Sequence, residues 1–130
     1  MNSDSSTVKK AVSLYIERSF QTEIIDNETE IKNKKYVSEA RNQSRQIEKE
    51  INTILPKIVE MVQNPKAFIK TLKQIEKQEK ERFQLAFAGP VIEDFINILI
   101  FDLKRKKFID DSGLERLRKA YKANKITIHF

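Results

Sequence analysis

Five lysines, Lys66, Lys70, Lys73, Lys77 and Lys80, recur at steps of 4, 3, 4 and 3. On a helix this spacing sets all five ammonium groups along one face over roughly 20 Å, at 1.5 Å per residue. Such a row suits a polyanion, because each ammonium neutralises a backbone phosphate and releases its condensed counterions. It equally suits a solvated face laced with i,i+4 pairs such as Glu76–Lys80, and the sequence interleaves Glu76, Glu79 and Glu81. Both readings stay open on this segment alone.

A second basic cluster weighs toward the polyanion. Lys104, Arg105, Lys106 and Lys107 stand in a row, and Arg116, Arg118, Lys119, Lys122 and Lys125 follow. Basic residues complement the negative end of a helix dipole, which accounts for part of the first run. Four in succession exceed what capping needs. Arg41, Arg45 and Lys49 form a further stripe, offset by the nearby Glu39, Glu48 and Glu50.

The net charge is +6 over 130 residues, with 25 Lys and Arg against 19 Asp and Glu. Residues 1–60 carry ten of each sign, so the whole excess lies beyond them. An asymmetry of this kind points to a face for an anionic partner. The chain has no cysteine and one histidine, His129. That excludes a disulfide framework, a thiolate zinc site, a cysteine nucleophile and a multi-histidine metal centre. No glycine-rich phosphate loop is present. Glu93–Asp94 and Asp110–Asp111 are adjacent pairs, and helix neighbours diverge by about 100°, so neither makes a shared acid–base site. The composition predicts a protein that is not an enzyme and takes no cofactor or metal. No zinc-finger spacing, RNA-binding sheet motif or short helix-turn-helix occurs, so the sequence predicts contact with nucleic-acid backbone and no reading of bases. Most of the eight Phe fall in apolar stripes; Tyr36 and Tyr121 lie beside basic residues and are the candidates for base stacking.

Apolar periodicity supplies the elements that must position these groups. Val8, Val12, Tyr15, Ile16, Phe20 and Ile24 predict a first helix over 6–24, after a flexible start at 1–5. The polar stretch 26–35 predicts the main connecting loop. Val37, Ala40, Ser44, Ile47, Ile51, Ile54, Ile58 and Met61 then make a heptad seam, facing the protein's own bundle or a second chain, with Pro56 predicting a kink or break near Leu55. Asn64–Pro65 opens a third helix running to about Ala88, with Phe68, Leu72, Ile75, Phe83, Ala86 and Phe87 inward, and Gly89–Pro90 ends it. From Val91 to about Lys106 the helix is apolar around nearly its whole circumference, which predicts a central element. Asp110–Asp111–Ser112 opens a fifth helix with Leu114, Leu117, Ala120 and Tyr121 on one face and Asn124 at its close. Ile126–Phe130 alternates like a strand with nothing obvious to pair with, and predicts an extended tail. The fold class is all-α: one domain over 1–130, a four- to five-helix bundle around a central apolar helix. Met1–Ser6 has neither a basic n-region nor an apolar core, and the longest apolar run, Ile96–Phe101, is too short to span a bilayer. The expected location is cytoplasmic, with no membrane partner.

The segment FAGPVIEDFINILIFDLKRKKFIDDSGLERLRKAYKAN, Phe87 to Asn124, joins a buried helix, a basic run and a basic amphipathic helix. In this character the chain resembles the small subunit of class 1 CRISPR surveillance complexes (Cascade), the type I-D version above all. The resemblance covers about a third of the chain and is one of general character, since that family has no sharp signature. It implies a non-catalytic subunit of an antiviral ribonucleoprotein, present in several copies. Neighbouring copies of itself and the backbone and large subunits would be its protein partners. It would hold the guide RNA–target DNA heteroduplex and the displaced strand by backbone contacts, leaving sequence to base pairing. On charge geometry, Lys66, Lys70, Lys73, Lys77 and Lys80, with Lys104, Arg105, Lys106, Lys107, Arg116, Lys119 and Lys122, would make those contacts. The near-neutral first half departs mildly from this and suits a protein-facing side. The rival expectation is a helical protein–protein adaptor or regulatory domain, sensor-like or immunity-type, with no nucleic-acid ligand. Its contact surface would be the Val37–Met61 seam or the Ile126–Phe130 tail.

Overall fold

The computed structural model describes residues 3–30, 34–81 and 91–130. Among them 84% are helical and none lies in a strand, an all-α bundle. Five helices are described: α1 (Ser3–Glu30), α2 (Lys34–Val62), α3 (Pro65–Gln78), α4 (Val91–Arg105) and α5 (Asp111–Lys122).

The α1 and α2 helices make the most extensive helix pair in the structure. Val8, Ala11, Val12, Leu14, Tyr15 and Ile16 of α1 are buried against the core that α2 helps to build. Both helices run into the stretch expected to be a loop: residues 26–30 close α1, and Lys34–Lys35 open α2. The backbone hydrogen bonds of a helix require no apolar stripe, so its absence from the sequence does not end either helix. For the same reason α1 starts at Ser3 and includes residues expected to be a flexible start.

The heptad seam faces the protein's own core. Ala40, Ile47, Ile51, Ile54 and Ile58 are buried, and Leu55 and Val62, which the strict seam omits, are fully buried beside them. A globular helix buries a wider arc than a two-stranded coiled coil, so positions flanking the seam join it. No break occurs at Pro56, and α2 continues through it. Pro56 is exposed between buried Leu55 and Ile58. The missing N–H therefore lies on the solvent side, while packing holds both flanks of the helix.

Phe68, Leu72 and Ile75 seat α3. The run expected to reach Ala88 is interrupted at Glu79, which caps α3 by donating to the Ile75 carbonyl at 2.9 Å, and Lys80–Glu81 are helical again beyond it. After Ile75 the next apolar residue is Phe83, so this turn has no side chain to anchor it. Phe83, Ala86, Phe87 and Gly89–Pro90 fall outside the described residues.

Through Phe95, Ile96, Leu99, Ile100 and Leu103, α4 is buried as expected of a central helix. Its circumference is not fully covered, however: Phe101 is 51% exposed. Asp110 caps α5 by accepting from the Gly113 amide at 2.7 Å. Leu117 and Tyr121 are buried, and the Tyr121 hydroxyl donates to the Val62 carbonyl at 2.7 Å, satisfying the last turn of α2.

Helices α4 and α5 both end in Schellman motifs. Phe108 N–H donates to Leu103 O at 2.8 Å and Lys107 N–H to Lys104 O at 3.1 Å, with Lys107 at φ 65°. Ile126 N–H donates to Tyr121 O at 2.9 Å and Lys125 N–H to Lys122 O at 3.0 Å, with Lys125 also at φ 65°. Lys125 thus closes α5, one residue past the expected Asn124. A side chain in this left-handed region crowds its own backbone, which glycine avoids. Lys107→Gly should therefore raise the free energy of unfolding by about 1 kcal/mol, read from urea denaturation. An unchanged or lower value would show that the Lys107 side chain contributes more than its backbone costs.

The tail docks on its own bundle. Ile128 is buried, and the Asn97 side chain stands in for a neighbouring strand. Its Nδ2 donates to Thr127 O at 2.9 Å and its Oδ1 accepts from His129 N at 2.7 Å. His129 Nε2 lies 2.9 Å from Glu93 Oε1, and the Phe130 ring meets Phe101 edge to face at 5.5 Å.

Candidate nucleic-acid interface

Buried Phe68, Leu72 and Ile75 fix the rotation of α3, and this sets where its lysines point. At 100° per residue, Lys66, Lys70, Lys73 and Lys77 cluster within about 40° of one direction, with the buried stripe roughly opposite. All four are exposed. Among the described residues none of them forms an ion pair. Lys80 lies past the Glu79 cap, where φ −125° and ψ 33° leave helical geometry. The continuous row therefore holds four lysines over about 16 Å, with Lys80 exposed beyond its end. The four line a shallow groove of about 460 Å³, and Asn124, just past α5, forms part of its wall. The end of α5 thus meets the ladder, with exposed Lys122 and Lys125 on either side of Asn124 in the chain.

The run from Lys104 to Lys107 is placed differently. Lys104 Nζ pairs with Asp111 at 2.9 Å, Arg105 Nη2 with Asp102 at 3.0 Å, and Lys106 Nζ with Glu48 at 2.7 Å. Lys106 also donates to Asn52 Oδ1 at 2.6 Å, and its side chain is only 17% exposed. Three of the four cations thus meet carboxylates of this chain. Lys107 alone of the run is exposed with no ion pair among the described residues. The run sits where α5 begins and the ladder where α5 ends, about 20 Å apart along that helix. Arg116, Lys119 and Lys122 are exposed along α5 between them, while Arg118 lies 3.4 Å from Glu115. Arg41, Arg45 and Lys49 are exposed on α2.

The most ordered charge constellation was not legible as one in the sequence. Asp102, on the otherwise apolar α4, is 2% exposed. Its carboxylate accepts from the Tyr15 hydroxyl at 2.7 Å, from Arg18 Nη1 at 2.7 Å and from Arg105 Nη2 at 3.0 Å. Arg18 Nη1 also reaches Glu48 Oε1 at 2.9 Å, and the guanidinium lies 4.5 Å over the Tyr15 ring. Burial pushes the Asp102 carboxyl up, but the Tyr15 hydrogen bond, the Arg18 charge and the Arg105 contact together outweigh it and hold its pKa below the ordinary value. Glu48 follows the same balance: burial raises it, and hydrogen bonds from Lys106 and Arg18 bring it down. Burial, then the neighbouring Asp102 charge, pushes the Tyr15 hydroxyl well up, so it remains a donor. This network ties α1, α2 and α4 together and accounts for Arg105 and Lys106 without any ligand. The sequence did hold one signal: an acid inside an apolar helix needs a cationic partner.

Of the two tyrosines considered for stacking, Tyr121 is fully buried and unavailable, and the side chain of Tyr36 lies outside those described. Phe101, on the helix expected to be apolar around nearly its whole circumference, is the most exposed large apolar residue among those described. No group of acids and His129 that could hold a metal ion occurs among the described residues, and no described helix is long and apolar enough to cross a membrane. Compared with protein-family models, with curated proteins and with solved structures, the chain matches nothing.

Proposed function

We propose that this chain is a non-catalytic helical subunit that holds nucleic acid by its phosphate backbone without reading sequence. The observation that carries the reading is the α3 face: Lys66, Lys70, Lys73 and Lys77, exposed and without ion pairs among the described residues, stand opposite a buried apolar stripe. Point charges along a groove neutralise successive phosphates and make no demand on base identity. Lys107, Arg116, Lys119 and Lys122 extend the surface as additional phosphate contacts. Lys104, Arg105 and Lys106 act first as structural groups. The role fits a small subunit of a class 1 CRISPR complex, type I-D-like, working in the cytoplasm. There it would lie along the guide–target heteroduplex or the displaced strand, beside further copies and the backbone and large subunits. The adaptor reading has less support, because the α2 seam and the tail that it would use are both packed into the chain's own core.

The test is the salt dependence of binding, read by fluorescence anisotropy on a labelled single strand and on an RNA–DNA heteroduplex. Four phosphate contacts from the ladder predict that log K falls with log salt at a slope of about −3 on a single strand, steeper if α5 takes part. Absence of binding at low salt, or a flat slope, would overturn the reading.

A further inference from the structure

A groove of about 710 Å³ lies between α1, α4 and the docked tail, walled by Ile98, Phe101 and Phe130, with Arg18 and Arg105 at its polar side. Volumes of this order hold small aromatic ligands. Phe101 is 51% exposed there, with the Phe130 ring perpendicular to it at 5.5 Å. It sits on the side of α4 away from Leu99 and Leu103, and Phe130 leaves about half of its surface open. Resting on the nucleic-acid reading above, we propose that this groove is a stacking site for unpaired bases, with Phe101 as the platform, and that the preferred substrate is therefore single-stranded.

Charge and continuity favour a base over other occupants. The Arg side chains at the groove belong to a cluster in which Arg18, Arg105 and Lys106 face Asp102 and Glu48, leaving one positive charge in excess. Asp102, the acid that lines the groove, is held by Arg18 and Arg105, and Glu93 lies 2.9 Å from His129 Nε2. The tail then joins this groove to the lysine ladder. Asn124 lines the ladder groove and His129 the aromatic one, and the five residue steps from one to the other reach at most about 17 Å. Along that path Ile126 and Ile128 face inward, while Lys125, Thr127 and His129 are exposed. A strand gripped by phosphates on α3 would pass Lys125 and present a base to Phe101 about five stacked nucleotides on, at 3.4 Å each. Aromatic stacking tolerates any base, which agrees with backbone-led binding.

The experiment compares a labelled thymidine 15-mer, an abasic strand of the same length and charge, and a blunt DNA duplex. Each is titrated with the wild type, Phe101→Ala and Phe101→Trp. Phe101→Ala is expected to weaken the thymidine strand roughly ten-fold and to leave the abasic strand and the duplex unchanged. Since the chain has no native tryptophan, Phe101→Trp supplies a reporter whose emission the thymidine strand should quench and the abasic strand should not. Equal wild-type affinity for thymidine and abasic strands, or an unaffected Phe101→Ala, overturns the stacking site while leaving the lysine ladder standing. Loss of self-association in Phe101→Ala, with nucleic-acid binding intact, would make the groove a contact between copies and equally overturn it. Failure of the wild type to bind any of the three probes would instead remove the parent reading.

Discussion

Asp102→Asn should lower the free energy of unfolding by about 3 kcal/mol, within the range for removing one member of a buried ion pair. Asparagine nearly matches the shape of aspartate but carries no charge. Arg18, whose side chain is 20% exposed, then keeps only Glu48 as a counter-charge, and the Tyr15 hydroxyl loses a charged acceptor. Most of the cost is the desolvated cation left behind, not the intrinsic strength of the pair. A triple replacement, Arg18→Met, Asp102→Leu and Tyr15→Phe, removes both charges and the hydroxyl that would lose its acceptor, and should recover most of the loss. The pH dependence follows in sign. Asp102 and Glu48 have folded pKa values below their ordinary 3.8 and 4.5. Their contribution is fully present above those values and is lost as pH falls through the lower folded ones. Urea denaturation should therefore show the wild type weakening below about pH 4.5, and Asp102→Asn should flatten that acid limb. A cost below 1 kcal/mol at neutral pH would mean that the network is solvated and not structural.

Charge reversal of the ladder, Lys70→Glu with Lys73→Glu and Lys77→Glu, should reduce nucleic-acid affinity at least about 100-fold near 0.1 M salt. Each substitution removes a phosphate contact and adds a repulsion, so the loss exceeds that of neutral replacement. The matched glutamine variant should shed about two units of salt slope, 0.7 for each contact on a single strand. Both variants should fold, because the three side chains are exposed and Phe68, Leu72 and Ile75, with Ile69 packed beside them, seat the helix. Circular dichroism checks this in the same samples. Retained affinity in the glutamate variant would take α3 out of the mechanism.

These two predictions separate what the chain spells out locally from what it does not. The ladder was legible because helix rotation follows from sequence: a 4, 3, 4 step carries its own geometry, and the apolar stripe of α3 says which side faces out. Its far end was not, since Lys80 depends on a helix end at Glu79 that no stop signal announces. Phe101 was misplaced because an apolar residue on an apolar helix looks like core until the surrounding helices show which side they leave bare.

The amino-acid order by itself determined the all-α class, the inward faces of α1, α2, α3 and α5 and the outward row of lysines, all of which follow from spacings within a few residues. Only the tertiary structure decided which cations are free. Arg18 meets Asp102 across 84 positions and Lys106 meets Glu48 across 58. Such pairings depend on the register of one packed helix against another, set by the whole core at once, and no local pattern encodes it.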